Sequence, residues 1–146
     1  MKILVDADAC PVKEIIEKIA RKYKLNVIMV SNSSHIINSD YSKHIVVDGN
    51  SQAADIAIAN NTVSGDVVIT QDYGLAAIVL GRGAMAIHPD GKVYTSENID
   101  GLLMQRYLNA KARQAKQRVN NPKKRTNIDN QRFTRNFDSL IANSIG

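Results

Sequence analysis

The feature that most constrains this chain is an alternation. Short apolar runs rich in β-branched residues, Ile3 to Val5, Val27 to Val30, Ile45 to Val47, Val67 to Ile69 and Ala84 to Ile87, are separated by stretches with apolar residues at helical spacing. A run this short, closed by a polar cluster, has the length of a buried strand rather than of a helix. The first stretch between runs puts Val12, Ile15, Ile16, Ile19 and Ala20 on one face. Pro11 stands before it, at the turn where a missing N–H costs nothing. A second helix is expected after Ser51 through Ala54, Ile56, Ala57 and Ile58, and a third over Leu75 to Leu80 before Gly81. Strands alternating with helices form βαβ units, which pack as a parallel sheet covered on both faces. The expected fold is therefore α/β, a three-layer sandwich around a central, mostly parallel sheet.

Beyond the fifth run, Pro89-Asp90-Gly91 has turn chemistry, and Lys92 to Thr95 is expected to return as a short hairpin or edge strand. Glu97 to about Val119 reads as a long helix able to dock through Ile99, Leu102, Leu103 and Leu108. After Asn120 to Arg125, "NNPKKR", the residues Phe133, Phe137, Leu140 and Ile141 offer a face to pack back. At 146 residues the chain suits one hydrophobic core. Residues 1–119 are expected to form the α/β domain including the start of the basic helix. Residues 120–146 then supply a basic linker and a C-terminal helix packing on that same domain.

Charge is split along the chain. Residues 1–105 carry 9 Lys and Arg against 12 Asp and Glu, whereas residues 106–146 carry 10 against 2. An acidic body with a basic C-terminal arm suits a polyanionic partner, and a solvated cationic helix is the plainer alternative. The single Cys10 cannot form an internal disulfide, and two nearby carboxylates would raise its pKa, so it reads as a small buried side chain rather than a reactive thiol. No apolar run approaches the roughly 20 residues that span a bilayer, and Asp6 ends the first apolar run too early for a signal peptide. The expected location is the cytoplasm.

In an open parallel sheet, ligands bind beyond the carboxyl ends of the strands, where strand order reverses. Asp6 and Asp8 follow the first run, Ser31-Asn32-Ser33 the second, Asp48 the third and Asp72 the fourth, so all are expected on one rim. Asp55, four residues after the expected N-cap Ser51, leans over the same rim from the opening turn of its helix. Any one of these acids could merely cap a helix. Together they repel one another, a cost that a bound divalent cation would offset. Oxygen-only ligation favours Mg²⁺ or Mn²⁺, and the natural chemistry for such a site is hydrolysis of a phosphodiester. His35, His44 and His88 lack metal-ligand spacing and read as surface or strand-end residues. Asp66 begins the fourth strand, at the end away from the rim, and reads as a turn residue.

Several segments resemble the YaiI/YqxD family of bacterial proteins: "VDADACPVK" (Val5 to Lys13), Asn32 in "VSNSS", "AAD" (Ala53 to Asp55), "GDVVITQDYGLA" (Gly65 to Ala76), Tyr94 to Ile99, and Arg106. The resemblance runs from residue 1 to about residue 137. It departs at residues 120–125, where the family tends toward a Gly-Gly-Pro turn. The family's core resembles the PIN-like nuclease fold. That resemblance implies metal ligation by Asp6, Asp55 and Asp72, with Asp8 as an additional or substitute ligand. It also puts Thr70 where PIN-like proteins often carry a Thr two residues before the third acid. Asn32, Thr70, Lys13, Arg106 and Arg113 are the expected substrate-binding residues.

The expected function is a metal-dependent nuclease acting on RNA. The rim acids cut, and cations of "KARQAKQR" and "PKKR" in the arm hold phosphates without reading sequence. Only Tyr107 and Phe133 offer stacking faces in that arm. Two other classes compete. One is a phosphatase of the haloacid dehalogenase type with Asp6 as nucleophile, although Cys10 replaces the expected Thr or Val and the "GDVVITQD" strand lies between its acids. The other is a non-catalytic RNA-binding protein of PIN-like shape.

Overall fold

The computed structural model describes residues 1–8, 10–32, 39–49, 51–115 and 124–145. Ser33, His35, Lys116, Arg118 and Lys123 fall outside them. In chain order the elements are β1 (Ile3–Asp6), α1 (Lys13–Tyr23), β2 (Val27–Ser31), β3 (Lys43–Val46), α2 (Ser51–Asn61), β4 (Val67–Ile69), α3 (Tyr73–Gly81), β5 (Met85–Ile87), β6 (Val93–Tyr94), α4 (Ser96–Gln114) and α5 (Asn127–Ile145).

The strands form one sheet in the order β3-β2-β1-β4-β5-β6. The first five are parallel, and β6 runs antiparallel to β5. Ile3 pairs with Val27 on one side and with Val67 on the other, which makes β1 and β4 the central strands. From β1 the chain builds outward through β2 to β3, then returns to place β4 on β1's other side. Strand order therefore reverses between β1 and β4, where a crevice opens at the carboxyl end of the sheet.

Alternation along the strands sorts the core into two layers. Ile3, Val5, Val27, Met29, Val67, Ile69 and Ile87 face α1 and α5. Leu4, Val30, Val68 and Ala86 face α2, α3 and the first turns of α4. The three-layer α/β sandwich expected from the alternation is what the chain forms.

Several boundaries move. β3 starts at Lys43, two residues early, and α2 starts at Ser51. α3 begins at Tyr73 because Asp72 caps it, accepting from the N–H of Gly74 at 2.8 Å and of Leu75 at 3.3 Å. α4 begins at Ser96 behind a capping box, in which the Thr95 hydroxyl accepts from Asn98 N–H and the Asn98 carbonyl accepts from Thr95 N–H. Residues 116–119, expected to continue that helix, lie outside the described residues. Leu108, expected to dock, is half exposed, since the apolar packing of α4 on the body runs through its early turns around Ile99, Leu102 and Leu103.

At the far end of the sheet Asp66 is buried as a turn residue. Its carboxylate takes the Lys2 ammonium at 2.6 Å and the N–H groups of Lys2 and Val63. Burial pushes its pKa up, but these partners outweigh burial and hold it below the ordinary value.

The β5–β6 turn is what seats α5. Gly91 has φ +100, and a Cβ there would lie 2.8 Å from the Arg132 carbonyl carbon and 2.9 Å from the Phe133 nitrogen. Two hydrogen bonds, from Asn136 Nδ2 to the Gly91 oxygen and from the Arg125 guanidinium to the Pro89 oxygen, each 2.7 Å, lock that approach. Gly91→Ala adds left-handed strain to a clash with helix backbone, and is expected to cost about 2 kcal/mol or more. A lowered urea midpoint at unchanged slope checks this.

Candidate functional site

The chain forms its rim where β1 and β4 end side by side. Asp6 closes β1, and Thr70 follows β4 in the neighbouring position. The Thr70 hydroxyl donates to the Asp6 carboxylate at 3.0 Å and accepts from the Asp72 N–H at 2.9 Å. One buried side chain thus fixes the spacing of two acids from opposite sides of the switch point. The Thr70 carbonyl in turn accepts from the Tyr94 hydroxyl at 3.1 Å, which anchors this strand end to β6.

Asp8, in the turn before α1, is tied to β2 because its carboxylate accepts from the Asn32 N–H at 2.7 Å. Asp55 reaches the rim from one turn inside α2, and its carboxyl shares a hydrogen bond with that of Asp72. Asp6, Asp8, Asp55 and Asp72 together line a hollow of about 200 Å³, with Asn32 and Ala54. A second hollow of about 450 Å³ opens beside it, lined by Asp6, Asp8, Gln71, Asp72, Tyr73 and Arg106. Arg106, from α4, sets a guanidinium nitrogen 3.4 Å from the Asp72 carboxylate and remains largely exposed.

Crowding shows in the acids' proton affinities. Burial, the hydrogen bond with Asp72, and the charges of Asp72 and Asp6 push Asp55 up to about 7, with Arg106 opposing. Burial also raises Asp6, assisted by the charges of Asp72 and Asp8 and partly offset by the Thr70 hydrogen bond.

The donor set consists of hard carboxylate oxygens, with no thiolate or imidazole lining either hollow, which is the set that Mg²⁺ or Mn²⁺ prefers. Among the described residues no three acidic, His or Cys side chains already stand at metal-binding separation.

Four of the five acids predicted for the rim converge. Asp48 does not: it is exposed beyond β3, the edge strand two places from β1, and lines neither acidic hollow. Among the expected substrate contacts, Asn32, Thr70 and Arg106 lie at or behind the acids. Lys13 is half-buried at the start of α1 and lines neither hollow, and Arg113 is exposed two turns beyond Arg106 on α4. Phe133, expected as a stacking face, is fully buried against Phe137 in the core, leaving Tyr107 as the exposed aromatic of the arm. Cys10 is buried as expected, but burial rather than neighbouring carboxylates is the main cause of its raised pKa.

His44 spans two strands through the Ser31 hydroxyl at 2.9 Å, and His88 sits against Asp90. Two rim residues were not singled out by sequence reasoning, Gln71 and Tyr73. The available signal was their position, directly flanking Asp72 at the strand-to-helix turn.

A family model described as "Uncharacterized BCR, YaiI/YqxD family" matches residues 4–143. The chain is 48% identical over 143 residues to a UPF0178 protein of Clostridium kluyveri, covering 98% of this chain and 94% of the relative. It is 48% identical over 143 residues to UPF0178 protein CA_C2825 of Clostridium acetobutylicum, covering 97% of each. A UPF0178 protein of Alkaliphilus oremlandii is 50% identical over 135 residues, covering 92% of this chain and 87% of the relative. No solved structure matches the chain. Among the described residues no helix is long and apolar enough to cross a membrane.

Proposed function

The chain belongs to the YaiI/YqxD family, and from its acidic rim we propose that it is a metal-dependent nuclease hydrolysing phosphodiester bonds, with RNA as the substrate class. One observation carries the reading: four carboxylates from three separate segments of the chain surround one hollow at the switch point of the sheet. The resemblance of Asp6, Asp55 and Asp72 to the acids of PIN-like nucleases supports it. Asp6, Asp55 and Asp72 would hold a Mg²⁺ or Mn²⁺ ion, with Asp8 as a further ligand. When bound, such an ion activates a water and neutralises charge on the leaving oxygen.

The chain's own residues do the rest. Thr70 holds Asp6 and the Asp72 backbone in register, so neither acid has to be ordered when substrate arrives. Arg106 borders the hollow and can turn from Asp72 toward a phosphate oxygen as an ion takes over the carboxylate. Lys111 and Arg113 continue the exposed cationic face along α4, where phosphates farther along the strand would be held by charge alone.

The test is incubation of single-stranded RNA with the full chain and Mn²⁺. Cleavage that stops with EDTA supports the reading, whereas binding without turnover in either Mg²⁺ or Mn²⁺ selects a non-catalytic RNA-binding role.

The Asp55 proton adds a pH dependence. A cation must displace it, so Mn²⁺ affinity measured by calorimetry is expected to fall about tenfold per pH unit below about 7, with roughly one proton released per ion bound. The sign for stability is the reverse of the usual carboxylate case. Folding raises this pKa, so the cation-free protein binds more protons than the unfolded chain between about pH 4 and about 7. Its contribution to stability therefore declines as pH rises through that window, and saturating Mn²⁺ should remove the decline. Asp90, held down to about 2 by its hydrogen bond with His88, titrates below that window.

A further inference from the structure

The acidic hollow does not end at Asp72. Tyr73 and Gln71 also line a third hollow of about 610 Å³, whose far wall is His88, Asp90, Arg125 and Asp129. Its size falls within the roughly 300–1,000 Å³ of small-molecule sites. Tyr73 stands on the ridge between the two and is the one aromatic among the residues lining the acidic hollow.

Its ring is held in place. It meets Tyr94 edge-on, with centroids 5.9 Å apart and planes at 67°, and Tyr94 is itself buried and bonded to the Thr70 carbonyl. His88 packs on Tyr94 in the same way, at 6.3 Å. The Arg125 guanidinium is fixed by the Pro89 carbonyl at 2.7 Å and by Asn130 at 3.0 Å. The wall of this hollow is therefore built in advance.

Charge decides which part of a ligand belongs there. The lining carries two carboxylates, Asp90 and Asp129, against one guanidinium; Asp129 is offset by Arg132 at 3.5 Å and Asp90 sits against His88 at 3.0 Å, so a second phosphate would find no surplus of positive charge there. A neutral heteroaromatic ring meets a stacking face and a ring of donors and acceptors.

We infer that the hollow beyond Tyr73 is a nucleobase site: the nucleotide next to the phosphate at the acidic rim stacks its base on Tyr73, between the rim and Arg125. The site rests on the nuclease reading only for what occupies the neighbouring rim. It requires a base free of its own helix, so it makes the substrate single-stranded.

Binding is measured by fluorescence anisotropy on the full chain with a short labelled single-stranded RNA, in Ca²⁺ without Mg²⁺ or Mn²⁺. It is repeated with RNAs carrying one abasic residue at each position in turn. Tyr73→Ala is expected to weaken binding about tenfold to a hundredfold, and Tyr73→Phe to leave it within about twofold. An abasic residue at one position should cost the wild type the same factor and cost Tyr73→Ala nothing. Unchanged affinity in a folded Tyr73→Ala, or an abasic series that is flat in the wild type, overturns the site. Should Tyr73→Ala not fold, the wild-type abasic series decides alone. RNA bound with the predicted pattern but never cut in Mn²⁺ removes the nuclease reading and keeps the base site. RNA that is cut, with a flat abasic series, removes the base site alone.

Discussion

Asp6→Asn is expected to lower Mn²⁺-dependent RNA cleavage by about a thousandfold while raising the melting temperature of the cation-free protein. Both signs follow from one geometry. The amide oxygen can still accept from the Thr70 hydroxyl, so the strand end keeps its shape. What disappears is a charge that folding makes unfavourable, through burial and through the neighbouring Asp72 and Asp8. Losing it relieves repulsion, hence the expected gain in stability, and removes a ligand of the proposed cation, hence the expected loss of turnover. Activity and thermal melting on the same preparation check the pair, and a variant that melts lower and is merely less active would mean that Asp6 is structural. Thr70→Val is the companion measurement. It leaves every acid in place but unties Asp6 from the Asp72 backbone, and a loss of about tenfold to a hundredfold is expected.

Phe133→Ala is expected to cost about 3–5 kcal/mol, the largest stability effect available from a single side chain on the α5 face. Phe133 is fully buried, stacked on Phe137 with centroids 5.1 Å apart, and belongs to the same cluster as Ile3, Val5, Ile16 and Met29. The void would open beneath the central strand, where the Gly91 turn and the Arg125 anchor leave α5 little room to collapse inward. Urea unfolding followed by circular dichroism reads the loss. Leu108→Ala, at a half-exposed position on α4, should stay within about 0.5 kcal/mol and controls for truncation itself.

The sheet and its rim were legible for a simple reason: a buried parallel strand has to be apolar on both faces, so its run stands out and its end is unambiguous. Asp6 and Asp72 could be located because each directly follows such a run. Asp48 follows one too, yet it stays apart, since a strand's end says nothing about how far that strand lies from the switch point. Lateral strand order is not written in local pattern. Phe133 carries two readings, a packing face and a stacking face, and only the packing one holds. Its basic neighbours made it look like part of a nucleic-acid face, while its spacing to Phe137 and Ile141 had already marked the buried stripe. The Asp55–Asp72 hydrogen bond had no local sequence signal, because it depends on the tilt of α2 over β1 and β2.

The Thr70–Asp6 hydrogen bond joins residues 64 positions apart. A polypeptide emerging from the ribosome carries Asp6 and Asp8 long before their counterparts exist, and α5, which underpins β1, follows all of them. The acidic hollow thus has no partial form. Any fragment ending before β4 lacks both Asp72 and the Thr70 hydroxyl that holds Asp6, so the four carboxylates meet only once β4 and the turn after it have been made.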